Sequence, residues 1–229
     1  MCTHIVVNRG KTIVGWNLDL LGMEHRVRVE DAGVYIEVLD ETEGWLPLFG
    51  ANARGDFVGM PTCWPYDARS DPQGPGPNVI ELDIDLLLCR RTLQEVRAIA
   101  ERGGVSSVPG TTFMGALSDA RGNVLQVVPG QGCRYLERPD AAVLTNFSPF
   151  KGDAETHPWM GWERYQRARA MIAEAGDDFG VAKCLDVLAA VAQEACPTRV
   201  SMAFDVGERC VHWCEDRRFD QVRTVRLGA

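Results

Sequence analysis

The chain has 229 residues, 45% of them hydrophobic, with 24 Lys and Arg against 32 Asp and Glu and a formal charge of -8. That is enough apolar material for a buried core in one domain spanning 1–229, and the acidic balance offers no general field for nucleic acid or an anionic membrane surface. Apolar runs fall short of a membrane span, the first residues lack the pattern of a signal peptide, and the eight scattered cysteines read as reduced thiols, so a cytoplasmic protein is expected.

In chain order, Thr3–Asn8 and Thr12–Asn17 are apolar and β-branched around Arg9-Gly10-Lys11, the pattern of a hairpin with glycine in the turn, so Cys2 is expected to start an edge of a sheet. Arg26–Glu30 and Gly33–Leu39 alternate about a second turn at Asp31-Ala32-Gly33. The stretch from Thr62 to Asn78, with prolines at 61, 65, 72, 75 and 77 in or beside it, reads as a loop. A helix is predicted from Leu82, and Thr92-Leu93-Gln94-Glu95 fits a capping box opening a second one that runs to Arg102 and stops at Gly103-Gly104.

Strand signals return at Thr112–Leu117, Val124–Val128 and Arg134–Glu137, with Asp119-Ala120-Arg121-Gly122 turning the first pair. Two helices are predicted over Trp162–Ala175 and Phe179–Ala195, then three strands over Val200–Asp205, Val211–Glu215 and Val222–Leu227. Blocks of strands and helices without one-to-one alternation argue for an α+β domain of two sheets stacked face to face, with helices on the outer faces. In CVHWC the residues Cys210, His212 and Cys214 share one strand face, but an extended strand sets the two sulfurs roughly 13 Å apart, too far for one zinc, so no metal site is expected.

Cys2 followed by a hairpin ending in Gly15-Trp16-Asn17-Leu18-Asp19 resembles the start of the choloylglycine hydrolase and penicillin V acylase family of N-terminal-nucleophile hydrolases. Further resemblances follow in family order: Gly50–Gly55 to its GxNxxG segment, Leu117–Gly122 to its xxDxxG hairpin, Val143–Asn146 to its VLTN, Glu163–Arg167 to its SRFxR and Thr198–Ser201 to its TxYS. Each motif is short, and their collinearity over nearly the whole chain carries the resemblance.

The resemblance implies a four-layer αββα sandwich with two stacked antiparallel sheets. It also implies a hydrolase of linear, non-peptide amide C–N bonds, needing no cofactor, in which removal of Met1 exposes Cys2 as the nucleophile. An α-amine with a reference pKa of about 7.7–8.0 can serve as the base for a thiol that needs little activation. By the same resemblance Asp19 holds the N-terminal amine, Asn146 donates its amide N–H to the oxyanion, and Arg164 braces the neighbouring carboxylate and amide groups.

Two positions depart from the family pattern. Trp16 stands where members usually carry arginine, removing a cation and leaving an aromatic wall with one N–H. Pro61 stands at a position whose residue serves the oxyanion hole; having no backbone N–H it moves that donor to Thr62 or Cys63. Trp16, Met60, Phe113 and Phe147 are candidates for an apolar pocket that would take the acyl part of a small-molecule amide. Acyl transfer to an amine, or binding without catalysis on the same fold, stand as alternatives, and homo-oligomerisation is left open.

Overall fold

The computed structural model describes residues 1–151 and 159–228. Thirteen strands and four α-helices are present among them. The first hairpin forms as its pattern dictates: β1 (Cys2–Arg9) and β2 (Lys11–Asp19) pair antiparallel with Arg9 opposite Lys11, and Gly10 takes the turn at φ +68°. β1 is not an edge strand, however. A four-residue strand, β10 (Ala141–Leu144), pairs with its other side, and β2 pairs with β11 (Thr198–Asp205), followed by β12 (Cys210–Glu215) and β13 (Arg223–Arg226), completing a six-stranded antiparallel sheet.

The second sheet is a meander of seven antiparallel strands in chain order. These are β3 (His25–Glu30), β4 (Gly33–Asp40), β5 (Gly44–Asn52), β6 (Phe57–Gly59), β7 (Gly115–Ser118), β8 (Val124–Val128) and β9 (Gly132–Leu136). β5, β6 and β10 are absent from the sequence expectation for physical reasons. β5 carries Pro47, which cannot donate to the ladder, and the register with β4 shifts between Ile36 and Glu37 beside it. β6 and β10 are too short to display an alternation of their own.

Helix α1 (Val79–Leu87) starts three residues earlier than expected, because Asn78 caps Ile80 N–H while Glu81 reaches back to the Asn78 N–H. α2 (Leu93–Glu101) opens on the capping box of Thr92 and Glu95. α3 covers Trp162–Glu174, and α4 (Val181–Ala190) ends short of Ala195, where the Gln193 N–H turns to the Thr198 hydroxyl.

Alternation along the strands assigns the layers. Cys2, Val6, Val14, Trp16, Leu18, Met202 and Phe204 of the first sheet meet Val34, Ile36, Phe49 and Phe57 of the second in one buried cluster. The opposite face of the first sheet, with Ile5, Val7, Ile13 and Ala203, packs under Ile172, Phe179, Cys184 and Leu188. Tyr35, Val58, Leu117, Leu125 and Val127 of the second sheet pack under Leu82, Leu86, Leu93 and Val96. Helices therefore cover both outer faces, giving the four-layer αββα sandwich.

Gly50 is required by this packing. It sits at φ +133°, and a Cβ there would lie 2.1 Å from the Val34 carbonyl oxygen of the neighbouring strand. Gly50→Ala is expected to cost at least about 2 kcal/mol in chemical unfolding, against about 1 kcal/mol for Gly44→Ala, whose left-handed turn has open space. Equal costs at the two positions would contradict the close strand approach.

Candidate active site

Cys2, Asp19 and Thr198 occupy one end of the first sheet because the register puts Cys2 opposite Leu18 and Thr198 opposite Asp19. Asn146 joins them two residues beyond β10, whose Leu144 lies opposite His4. Arg164 comes from the first turns of α3, across the helical layer. The four residues singled out in the sequence thus meet, although they are spread over positions 2 to 164.

Their contacts are direct. The Cys2 N–H donates to Asn146 Oδ1 at 2.9 Å. The Arg164 guanidinium donates to the Cys2 carbonyl at 2.7 Å, to Thr3 Oγ1 at 2.9 Å and to Asn146 Oδ1 at 2.6 Å. It also lies 3.8 Å from Asp19 Oδ2. Asp19 accepts from Thr198 Oγ1 at 2.5 Å and from Gln193 Nε2. The Met1 amine donates to the Asp19 carbonyl at 3.0 Å and sits 3.7 Å from Cys196 Sγ.

This network settles the orientation of the Asn146 amide. Its oxygen faces two donors, Cys2 N–H and Arg164, so its nitrogen faces an acceptor, the Thr62 carbonyl, at 2.7 Å. One of that nitrogen's two N–H groups is thereby taken by the Thr62 carbonyl, and the expected donation to an oxyanion falls to the other. Cys63 N–H is likewise committed, to the Thr112 carbonyl at 2.7 Å. Of the two replacements expected for the missing Pro61 donor, Thr62 is the one whose N–H makes no hydrogen bond among the described residues.

Burial governs the titration of the cluster. Loss of water pushes the Cys2 thiol up to about 11 with Met1 attached, even though the N-terminal charge and Arg164 pull the other way. Burial also raises the Asp19 carboxyl to about 6, against the opposing pull of the Thr198 hydrogen bond, Arg164, the amine and Gln193.

The expected apolar pocket does not assemble from its four candidates. Trp16 is fully buried between the sheets, stacked on Phe49 at 5.4 Å and edge-on to His4 at 6.2 Å. Met60 is buried in the same cluster and Phe113 packs against it. Phe147 stands apart, edge-on to Trp162 and Tyr165 of α3. A cavity of about 650 Å³ does open beside the site, lined by Met1, Met160, Trp162, Arg164, Val191 and Gln193 among others. Sequence reading missed Gln193, Thr3 and Cys196, since no motif marks them; Thr198 lay in a matched segment without a role. Among the described residues no group of three or more His, Cys, Asp or Glu could hold a metal ion, and no helix is long and apolar enough to cross a membrane.

No protein-family model and no curated protein matches the chain. Solved structures do. A mutant of the conjugated bile acid hydrolase from Clostridium perfringens superposes with a TM-score of 0.68 and 14% identity, covering 99% of this chain and 92% of that one. The N-acylethanolamine-hydrolyzing acid amidase ortholog of Caenorhabditis elegans gives 0.65 and 17% over 99% and 100%. Penicillin V acylase from Agrobacterium tumefaciens gives 0.62 and 14% over 100% and 92%. At such identities the likeness shows the fold, the sandwich of the N-terminal-nucleophile hydrolases, in agreement with the motif resemblance.

The raised Asp19 carboxyl makes a signed prediction. Its native value of about 6 exceeds the unfolded reference of about 3.9, so the folded state holds the proton more tightly; the stability this adds is full below about pH 4 and lost as pH rises through about 6. Urea unfolding of the native chain and of Asp19→Asn should show the native chain's relative stability falling by about 2 kcal/mol from pH 4 to pH 7. A difference independent of pH would mean that Asp19 titrates alike in both states.

Proposed function

We propose that this chain is a cysteine N-terminal-nucleophile amidohydrolase, which cleaves a linear, non-peptide amide through a thioester on Cys2 once the Met1–Cys2 bond has been cut. The observation that carries the reading is the convergence of Cys2, Asp19, Asn146 and Arg164, with Asn146 Oδ1 2.9 Å from the nitrogen that would become the α-amine. The amidases that share the fold support the reaction class.

On this reading the freed amine, held by Asn146 Oδ1, takes the Cys2 thiol proton as the sulfur attacks the amide carbonyl. The carbon–sulfur bond forms and the carbonyl electron pair moves to oxygen. When the tetrahedral centre collapses, the C–N bond breaks and the ammonium returns its proton to the departing nitrogen. Water, deprotonated by the same amine, then cleaves the thioester and restores the thiol. A backbone donor for the oxyanion is available at Thr62, because in extended backbone a residue's N–H and C=O point to the same side and the Thr62 carbonyl already faces Asn146. Arg164 fixes the Cys2 carbonyl and the Asn146 amide, so both groups around the amine are oriented before substrate arrives.

The intact mass of the purified protein should be lower by one methionine residue than that of the full sequence. In a panel of acyl amides, Cys2→Ala should abolish both turnover and the covalent acyl adduct, while Cys2→Ser should slow turnover or stall at an ester, serine being the weaker nucleophile. Turnover that persists in Cys2→Ala, or in protein retaining Met1, would sink the mechanism.

A further inference from the structure

A second cavity, of about 420 Å³, opens where the edge strand β10 and helix α3 meet Gln126, Arg134 and Leu136 of the second sheet. Its far wall is remote from the candidate active site, while Tyr165 on the near wall directly follows Arg164. Arg9, on its wall, ends the strand that Cys2 begins, and seven residues of extended chain separate the two by about 23 Å.

The wall is basic in a protein of formal charge -8: Arg9, Arg134 and Arg169 stand there against one carboxylate, Asp140. The three guanidiniums are not equivalent. Arg9 is consumed by the fold, paired with Asp140 at 2.7 Å and donating to the carbonyls of Ile172 and Gly176. Arg134 and Arg169 have no carboxylate partner among the described residues; Arg169 leans on the Tyr165 ring and reaches its hydroxyl at 3.3 Å. A second, independent feature lies on the same wall. Gln126, opposite Arg134 in the β8–β9 ladder, is 4% exposed, and its Oε1 has no hydrogen-bond partner among the described residues. A buried acceptor left in that state is costly, and a ligand that donates to it would recover the cost.

We infer that this cavity binds a small organic carboxylate that also carries a hydroxyl or N–H group, the carboxylate meeting Arg134 and Arg169 and the donor meeting Gln126. A guanidinium fork matches a carboxylate in plane and charge. The apolar remainder, Leu136, Ala142, Val143 and Ile172, accommodates a short carbon skeleton. A dianionic phosphate suits the place less well, because Arg169 and Ile172 lie in the C-terminal half of α3, where the helix dipole opposes negative charge.

The test is calorimetric titration of the full chain at low salt with 3-hydroxybutyrate, butyrate and inorganic phosphate. 3-Hydroxybutyrate should bind saturably, at least about fivefold tighter than butyrate, and lose affinity as salt is added. Arg134→Gln and Arg169→Gln, both at exposed positions that leave the core intact, should each weaken it by about tenfold. Gln126→Met, with folding checked by its thermal transition, should bring the two acids to equal affinity. Absence of saturable binding, equal affinities in the native chain, tighter binding of phosphate, or full affinity in both arginine variants would each overturn the assignment.

Discussion

The candidate site depends on one buried guanidinium. Arg164, with its side chain only 11% exposed, bonds to the Cys2 carbonyl, the Thr3 hydroxyl and the Asn146 amide oxygen, and lies 3.8 Å from Asp19. A buried cation is costly unless its N–H groups find partners, and a planar multi-donor can satisfy several at once. The arrangement therefore ties α3 to β1, to the end of β2 and to the segment after β10. Because Arg164 and Cys2 N–H both need an acceptor, the Asn146 amide has one workable orientation, and that in turn brings the Thr62 carbonyl to its nitrogen.

The same constraint explains how the chain accommodates Trp16 where the resembled family has arginine. The inner face of β2 supplies no charge: Trp16 stacks on Phe49, and neighbouring His4 is held neutral by burial, its value lowered to about 3. Positive charge acts on the Cys2 sulfur from the N-terminal amine and from Arg164, on the helical side. Trp16 Nε1 and His4 Nε2, both buried, have no hydrogen-bond partner among the described residues, so this face contributes packing and shape rather than hydrogen bonds.

Local features of the fold were legible in the sequence where a turn or cap announced them. Gly10 turns the first hairpin, Thr92 and Glu95 cap α2, and Asp119 to Gly122 turn β7 into β8. Legibility failed where the signal was short or opposed: three-residue β6 and four-residue β10 show too few alternations, and Pro47 speaks against the strand that contains it. Missing β10 made β1 look like an edge. Gln193 falls inside the helix predicted over Phe179–Ala195, yet it lies beyond α4 with its side chain on Asp19.

By itself the sequence determined the α+β class, the stacking of two sheets under helices and, through the motif resemblance, the identity of the three residues, Asp19, Asn146 and Arg164, that meet around Cys2. These follow from periodicity, from turn chemistry and from collinear motifs, all written along the chain. Only the tertiary structure decided which way the Asn146 amide points, that Trp16 and Met60 belong to the core, that Thr62 and not Cys63 has its N–H unbonded, and that Asp19 titrates near 6. Each of those is set by atoms brought together from distant segments and by the water they exclude, and neither quantity exists until register and packing are complete.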